Sequence, residues 1–178
     1  MEIVIETERL ILRKFTVDDA PFILELLNTP NWLRFIGDRN VHNVEEAKQF
    51  LLNGYMKSYE TYGFGFYAVM EKGTQNLIGM CGLVKRDTLE DVDIGFAFMP
   101  DFMGKGYGFE AALATLHYAQ NVLKLDTVIA IVNPENNVSI GLIKKIGLQF
   151  EKMITFYPEE KELMLFKRFS SENNDRKV

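Results

Sequence analysis

The sequence predicts an α/β fold in which helices cover a mixed, mostly antiparallel sheet. Three observations carry this. Strand-length apolar runs recur at residues 9–13, 64–70, 77–84, 92–99 and 127–132. Segments with apolar residues at helical spacing fall between them, the longest over residues 108–123 with Ala112, Leu113, Leu116, Ala119 and Leu123. The glycine run Met103-Gly104-Lys105-Gly106-Tyr107-Gly108 joins one strand to that long helix.

The elements follow in order. Arg9-Leu10-Ile11-Leu12-Arg13 alternates like a strand. Thr16 can cap a helix with Asp19 in its first turn and Phe22, Ile23, Leu26 and Leu27 on one face, and Asn28-Thr29-Pro30-Asn31 is expected to stop it. A loop holding Trp32, Arg34, Phe35 and His42 precedes Asn43-Val44-Glu45-Glu46, a capping-box pattern that starts a second helix ending before Gly63. Residues 64–70, 77–84 and 92–99 are three neighbouring strands joined by polar turns, the arrangement of a meander. After the glycine run and its helix come a strand at 127–132, a short helix from about Ser139 to Ile146 stopped by Gly147, and two last strands at 150–157 and 163–167 around the charged turn Glu159-Glu160-Lys161-Glu162. The length suits one domain, expected over residues 1–169, and the polar residues 170–178 read as a disordered tail.

Composition narrows the function. A net charge of −5 disfavours non-specific nucleic-acid binding, which needs clustered Lys and Arg, and mildly favours a cationic or amine partner. With a single cysteine, Cys81, there is no intramolecular disulfide and no cysteine cluster for a metal. The first ten residues mix acidic and aliphatic side chains, unlike a signal peptide, and no apolar run reaches membrane-spanning length. A cytoplasmic location is expected.

The glycine run carries the chemistry. Glycine lets backbone approach a ligand, and the first turn of a helix offers unpaired N–H groups with the positive end of the helix dipole behind them. A phosphate or pyrophosphate suits such a cradle. The spacing is G-x-G-x-G with Phe109 next, so it departs from the G-x-G-x-x-G of a dinucleotide fold, and no Gly-Lys-Ser or Gly-Lys-Thr follows as in a P-loop. A nucleotide-binding domain using the same loop remains the rival reading.

Thr7-Glu8-Arg9-Leu10-Ile11-Leu12-Arg13, Ile94-Gly95-Phe96, Pro100, the glycine run with Glu110-Ala111, and Asn136-Asn137-Val138-Ser139 with Lys145-Ile146-Gly147-Leu148 together resemble the GNAT acyl-CoA-dependent N-acetyltransferases. The similarity is greatest to the branch of ribosomal-protein N-terminal acetyltransferases. It implies the GNAT fold, with a mostly antiparallel central sheet whose central strands splay, and acetyl-CoA as cosubstrate without a metal. The acceptor would be a primary amine, either the N-terminal α-amine of a protein or peptide or a small amine, and a homodimer is compatible with the family. By the same resemblance Met103, Gly104, Lys105, Gly106, Tyr107 and Gly108 would bind the pyrophosphate, and Ala97 and Met99 the pantetheine arm. The Ala97 N–H would serve the oxyanion, and Asn136 and Ser139 would act from the other side. Asp93 stands where many members carry a glutamate base, with Asp91 as competitor. Ile143 stands where the family often places a tyrosine acid, and Met103 where it places Gln or Arg. These departures keep open a second reading, a catalytically silent acyl-CoA sensor. His117 and His42 read as surface residues. Trp32, Phe35, Tyr62, Phe64 and Tyr67 read as core aromatics that could also line an acceptor cleft, expected between the 32–42 loop and the last hairpin near Phe156 and Tyr157.

Overall fold

A computed structural model describes residues 1–156 and 160–169. The expected tail, together with Tyr157 and Glu159, lies outside them. The elements are β1 (Ile3–Glu6), β2 (Leu10–Lys14), α1 (Ala20–Leu27), α2 (Pro30–Phe35), α3 (Val44–Phe50), α4 (Lys57–Tyr62), β3 (Phe66–Glu71), β4 (Leu77–Val84), β5 (Val92–Phe98), α5 (Tyr107–Asn121), β6 (Thr127–Val132), α6 (Asn137–Lys145), β7 (Gln149–Ile154) and β8 (Leu163–Phe169). The strands form one eight-stranded sheet in the order β1-β2-β3-β4-β5-β6-β8-β7. Every neighbouring pair is antiparallel except β5 and β6.

That exception sets the shape of the molecule. The parallel ladder consists of Val92 opposite Val128 and Asp93 opposite Ile129, and beyond it the strands part. On its other edge β5 stays in register with β4 from Asp93–Val84 to Phe98–Gly79. On its other edge β6 stays paired with β8 to Val132–Met164. A cleft therefore opens inside the sheet.

Each face carries its own core. Ile94, Val92, Leu83 and Cys81 pack with Ala111, Ala112 and Leu116 of α5 on one face, while Met80 and Ala68 pack with Ile23, Leu26, Leu27, Trp32 and Leu51 on the other. The two-residue period of β5 turns Phe96 and Phe98 toward α5 and Ala97 toward α1–α4.

Two helical segments differ from expectation. Residues 30–35, expected as loop, form α2: Thr29 is extended at the N-cap and Pro30 occupies the first helical turn, where its missing N–H is no loss. The helix begun by Asn43, whose side chain accepts the Glu46 N–H at 2.9 Å, runs to the left-handed Gly63 but passes through a π-helical stretch at Leu51–Met56. Glu46 reaches back to the His42 N–H rather than to Asn43, a capping box displaced by one residue. β1 was not predicted either; its four residues sit on the sheet edge with Ile3 and Glu6 exposed.

A buried ion pair joins the first hairpin to the helices. Arg13 donates to both Asp19 carboxylate oxygens at 2.7 and 2.8 Å, and Asp19 also accepts the Thr16 N–H at 2.9 Å. Removing one member strands the other charge in the interior. Asp19→Ala should cost about 3–5 kcal/mol of folding free energy, read as a lowered urea midpoint.

Candidate active site

The glycine run folds as a loop ending on the N-terminus of α5. A single 3₁₀ turn at Pro100–Phe102 leads into Met103, Gly104 and Gly106 have φ of +73° and +83°, and Gly106 is the N-cap of α5. Glu110 is the first residue whose N–H bonds back, to the Gly106 carbonyl at 3.1 Å, so the amides ahead of it point out of the helix end. Met103 to Gly106 are exposed, and a Cβ on Gly106 would come within 3.3 Å of an Arg9 guanidinium nitrogen. The sequence placed these residues together, and the backbone brings them together as a concave row of donors.

Thr7 and Arg9, conspicuous in the sequence without a role, hold this loop in place. Glu110 accepts from the Thr7 hydroxyl at 2.6 Å, the Arg9 N–H at 2.9 Å and the Arg9 Nε at 2.6 Å. The same guanidinium donates to the Lys105 carbonyl at 3.0 Å and lies 4.5 Å from the centre of the Tyr107 ring. Tyr107 in turn donates its hydroxyl to Glu71 on β3. The β1–β2 turn thus anchors the loop that the glycines shape.

The splayed strands enclose a cleft of about 820 Å³. Asp93, Asn136 and Ser139 line it, and so do Trp32, Phe35 and Phe156 from the two walls expected for an acceptor. Asn136 caps α6 by accepting the Ser139 N–H at 3.2 Å, and its side-chain NH₂ has no hydrogen-bond partner among the described residues. Tyr62 and Tyr67 are instead ring-stacked on Phe64 and Tyr59, away from the cleft lining. His42 and His117 are exposed.

Asp93 is 4% exposed. Arg86 holds one carboxylate oxygen, with Nε and a terminal nitrogen each 2.9 Å from Oδ2, while Oδ1 has no hydrogen-bond partner among the described residues. Burial raises its pKa to about 6, while the charge and hydrogen bond of Arg86 and the backbone N–H of Ile131 on β6 work against that rise. The carboxyl is therefore mostly ionised at neutral pH and takes a proton within the physiological range. Asp91, the competing candidate, is paired with Lys167 at 2.9 Å on the far side of β6.

For the strand amides the register moves the expectation by one residue. The Met99 N–H is already donated to the Ile78 carbonyl at 2.9 Å, and with β4 and β5 in unbroken register the Ala97 N–H points the same way, toward β4. The N–H groups that face the cleft are those of Phe96 and Phe98. The parity of a strand cannot be read from its sequence when both faces are buried, and only the pairing with β4 decides it. Arg86 was also missed, because it sits in the β4–β5 connection with no pattern around it.

The site thus combines a parted parallel pair, a glycine loop on a helix N-terminus and a buried carboxylate on the wall of the cleft. The chain belongs to the acetyltransferase (GNAT) domain family, which it matches over residues 9–149. It is 31% identical to the uncharacterized N-acetyltransferase YnaD of Bacillus subtilis over 147 residues, 83% of each chain. It resembles the solved GNAT-family acetyltransferase of Bacillus anthracis with a TM-score of 0.75 at 27% identity, covering 95% of this chain and 98% of that one. RimL, a ribosomal L7/L12 alpha-N-protein acetyltransferase solved with coenzyme A, shares the fold with a TM-score of 0.81 at 15% identity, over 94% of this chain and 98% of its own. Among the described residues no group of three or more His, Cys, Asp or Glu could hold a metal, and no helix is long and apolar enough to cross a membrane.

Gly106→Val would force a β-branched residue into left-handed backbone beside Arg9. Calorimetry on the folded variant should show coenzyme A affinity lowered by ~10-fold or more, the equivalent of one charge-assisted hydrogen bond lost from the cradle.

Proposed function

We propose that this acetyltransferase acetylates a primary amine, with Asp93 as general base, and the observation that carries the reading is the unpartnered Oδ1 of a buried, ionised carboxylate on the wall of the cleft. The residues present fit acetyl-CoA: Gly104 to Gly108 offer their amides to the pyrophosphate, and Asn136 offers its free NH₂ to the pantetheine arm. The amides of Phe96 and Phe98 stand where a missing strand would pair and receive that arm and the thioester oxygen. Acetyl-CoA supplies a thioester carbonyl carbon, to which the amine nitrogen bonds as the carbon–sulfur bond breaks and the sulfur leaves with the electron pair.

The chain's own task is the proton. An ammonium cannot attack, so a carboxylate poised near neutrality first accepts the proton that frees the amine, and the second proton, released from nitrogen as the amide forms, is taken up by the departing thiolate. Arg86 holds Oδ2 and leaves Oδ1 to do this. Ile143 is buried and supplies no acid, and burial pushes the nearby Tyr55 hydroxyl up, out of the range of an effective proton donor. A thiol of pKa about 8.5 leaves as thiolate without one. The acceptor class takes support from the alpha-N-protein activity named for RimL, which shares the fold, and from the free amine chemistry that a buried base serves.

Asp93→Asn keeps the shape and removes the base. The rate should fall ~10²–10⁴-fold near pH 7, and the defect should shrink as the pH rises toward the acceptor's own pKa, measured as thiol release against pH. A loss constant across pH would assign Asp93 to packing instead.

Arg86→Met removes the charge that opposes the rise of the Asp93 pKa. The acid limb of kcat/KM, expected near pH 6 in the native protein, should move upward by about 1–3 units. A limb that stays in place would exclude Asp93 as the titrating group.

A further inference from the structure

The cleft holds a second unsatisfied polar atom. Trp32, 4% exposed on α2, belongs to its lining, and its buried indole N–H has no hydrogen-bond partner among the described residues. Such a donor is costly to bury unpaired, by about 1–3 kcal/mol, and its natural complement is an oxygen. Seven residues further on, Arg39 lines the same cleft, exposed and without an ion pair among the described residues. Its charge is sensed by Tyr55 on the neighbouring wall.

Much of the rest of the lining is apolar. Phe50, Tyr55 and Phe66 form a ring cluster, with Tyr55 centred 5.2 Å from Phe50 and 5.1 Å from Phe66, and Met80 lies beneath the Tyr55 hydroxyl at 3.4 Å. Gly95, with no side chain, leaves the Phe66 ring room beside Asp93. The charges on the lining are Arg39, Arg86 and Lys161 against Asp93 and Glu160, so the cleft is not acidic although the whole chain is. A polycation would meet aromatic rings and a guanidinium where it needs carboxylates.

Resting on the reading of Asp93 as base, we propose that the acceptor is a primary amine on an apolar body that also bears a carboxylate, as in an apolar amino acid, with the amine at Asp93 and the carboxylate received by Arg39 and the Trp32 N–H. Both orphaned atoms of the cleft are then satisfied by one molecule. The transfer is the same: Asp93 takes the proton that frees the amine, the carbon–nitrogen bond forms as the carbon–sulfur bond breaks, and the departing thiolate takes the second proton from nitrogen.

The test uses the full chain with acetyl-CoA and four acceptors: leucine, leucinamide, 3-methylbutylamine and spermidine, with product identified by mass spectrometry. Leucine is expected to exceed each of the others in kcat/KM by ~10-fold or more, the worth of a charge-assisted hydrogen bond. Arg39→Gln should bring the leucine-to-3-methylbutylamine ratio close to one, mainly through KM for leucine. Trp32→Phe, which keeps an aromatic ring and removes the N–H, should lower the same ratio, and Arg39, being exposed, carries the test alone if that variant misfolds. Equal rates on leucine and 3-methylbutylamine, preference for leucinamide or spermidine, or a ratio indifferent to Arg39→Gln overturns the inference while acetyl transfer to amines stands. Absence of transfer to every amine with acetyl-CoA still bound overturns the base reading and this inference together.

Discussion

The short contact between β5 and β6 governs the rest of the molecule. Sheets gain from extending their ladders, and these two strands have the length to do so, yet they pair only at Val92–Val128 and Asp93–Ile129. What holds the partial pairing is covalent order and flanking bulk. The chain between the strands is α5, which packs on β4 and β5, and α6 follows β6 at once, so each strand is committed to a different partner on its outer edge. Unpaired strand groups inside a protein are costly unless something else meets them. An extended ligand arm of the kind proposed above would meet that cost.

Asp93 belongs to the same constraint. It sits at the last paired position, where the cleft begins, so its carboxylate is deep enough to be desolvated and near enough to the opening to line it. Arg86 keeps it from becoming simply a protonated core residue. Burial and the neighbouring charge oppose each other, and the balance leaves a carboxyl with a pKa of about 6, the value suited to the base proposed above.

The legible parts of the sequence were those where one local rule has one outcome. Residues 127–132 and 77–84 form the strands predicted, because continuous apolar runs between turn residues have few alternatives. The glycine run ahead of a helical stripe was likewise clear. The misreadings have distinct causes. Asn28-Thr29-Pro30-Asn31 ends α1 as expected, but where a loop is expected to follow, Pro30 begins α2 with Thr29 as its extended cap. Ala97 and Met99 are the positions that the family resemblance implies for the ligand-facing amides, and their N–H groups turn instead toward β4 because strand parity depends on that partner, some fifteen residues away in sequence. Thr7, Arg9 and Glu110 were noticed as a pattern, but their function as a latch across about a hundred residues is a tertiary fact that no local spacing contains.

The parted strands also make the apoprotein mechanically uneven. Strands β1–β5 and β6–β8 are two sub-sheets joined by two ladder positions and the packing of α5 and α6. An extended ligand laid between them would add rungs that the chain itself lacks, and a ligand that binds only the folded state stabilises it by RT ln(1 + L/Kd), where L is the free ligand concentration. Resistance to opening should therefore rise with the concentration of whatever ligand fills the gap between the two sub-sheets.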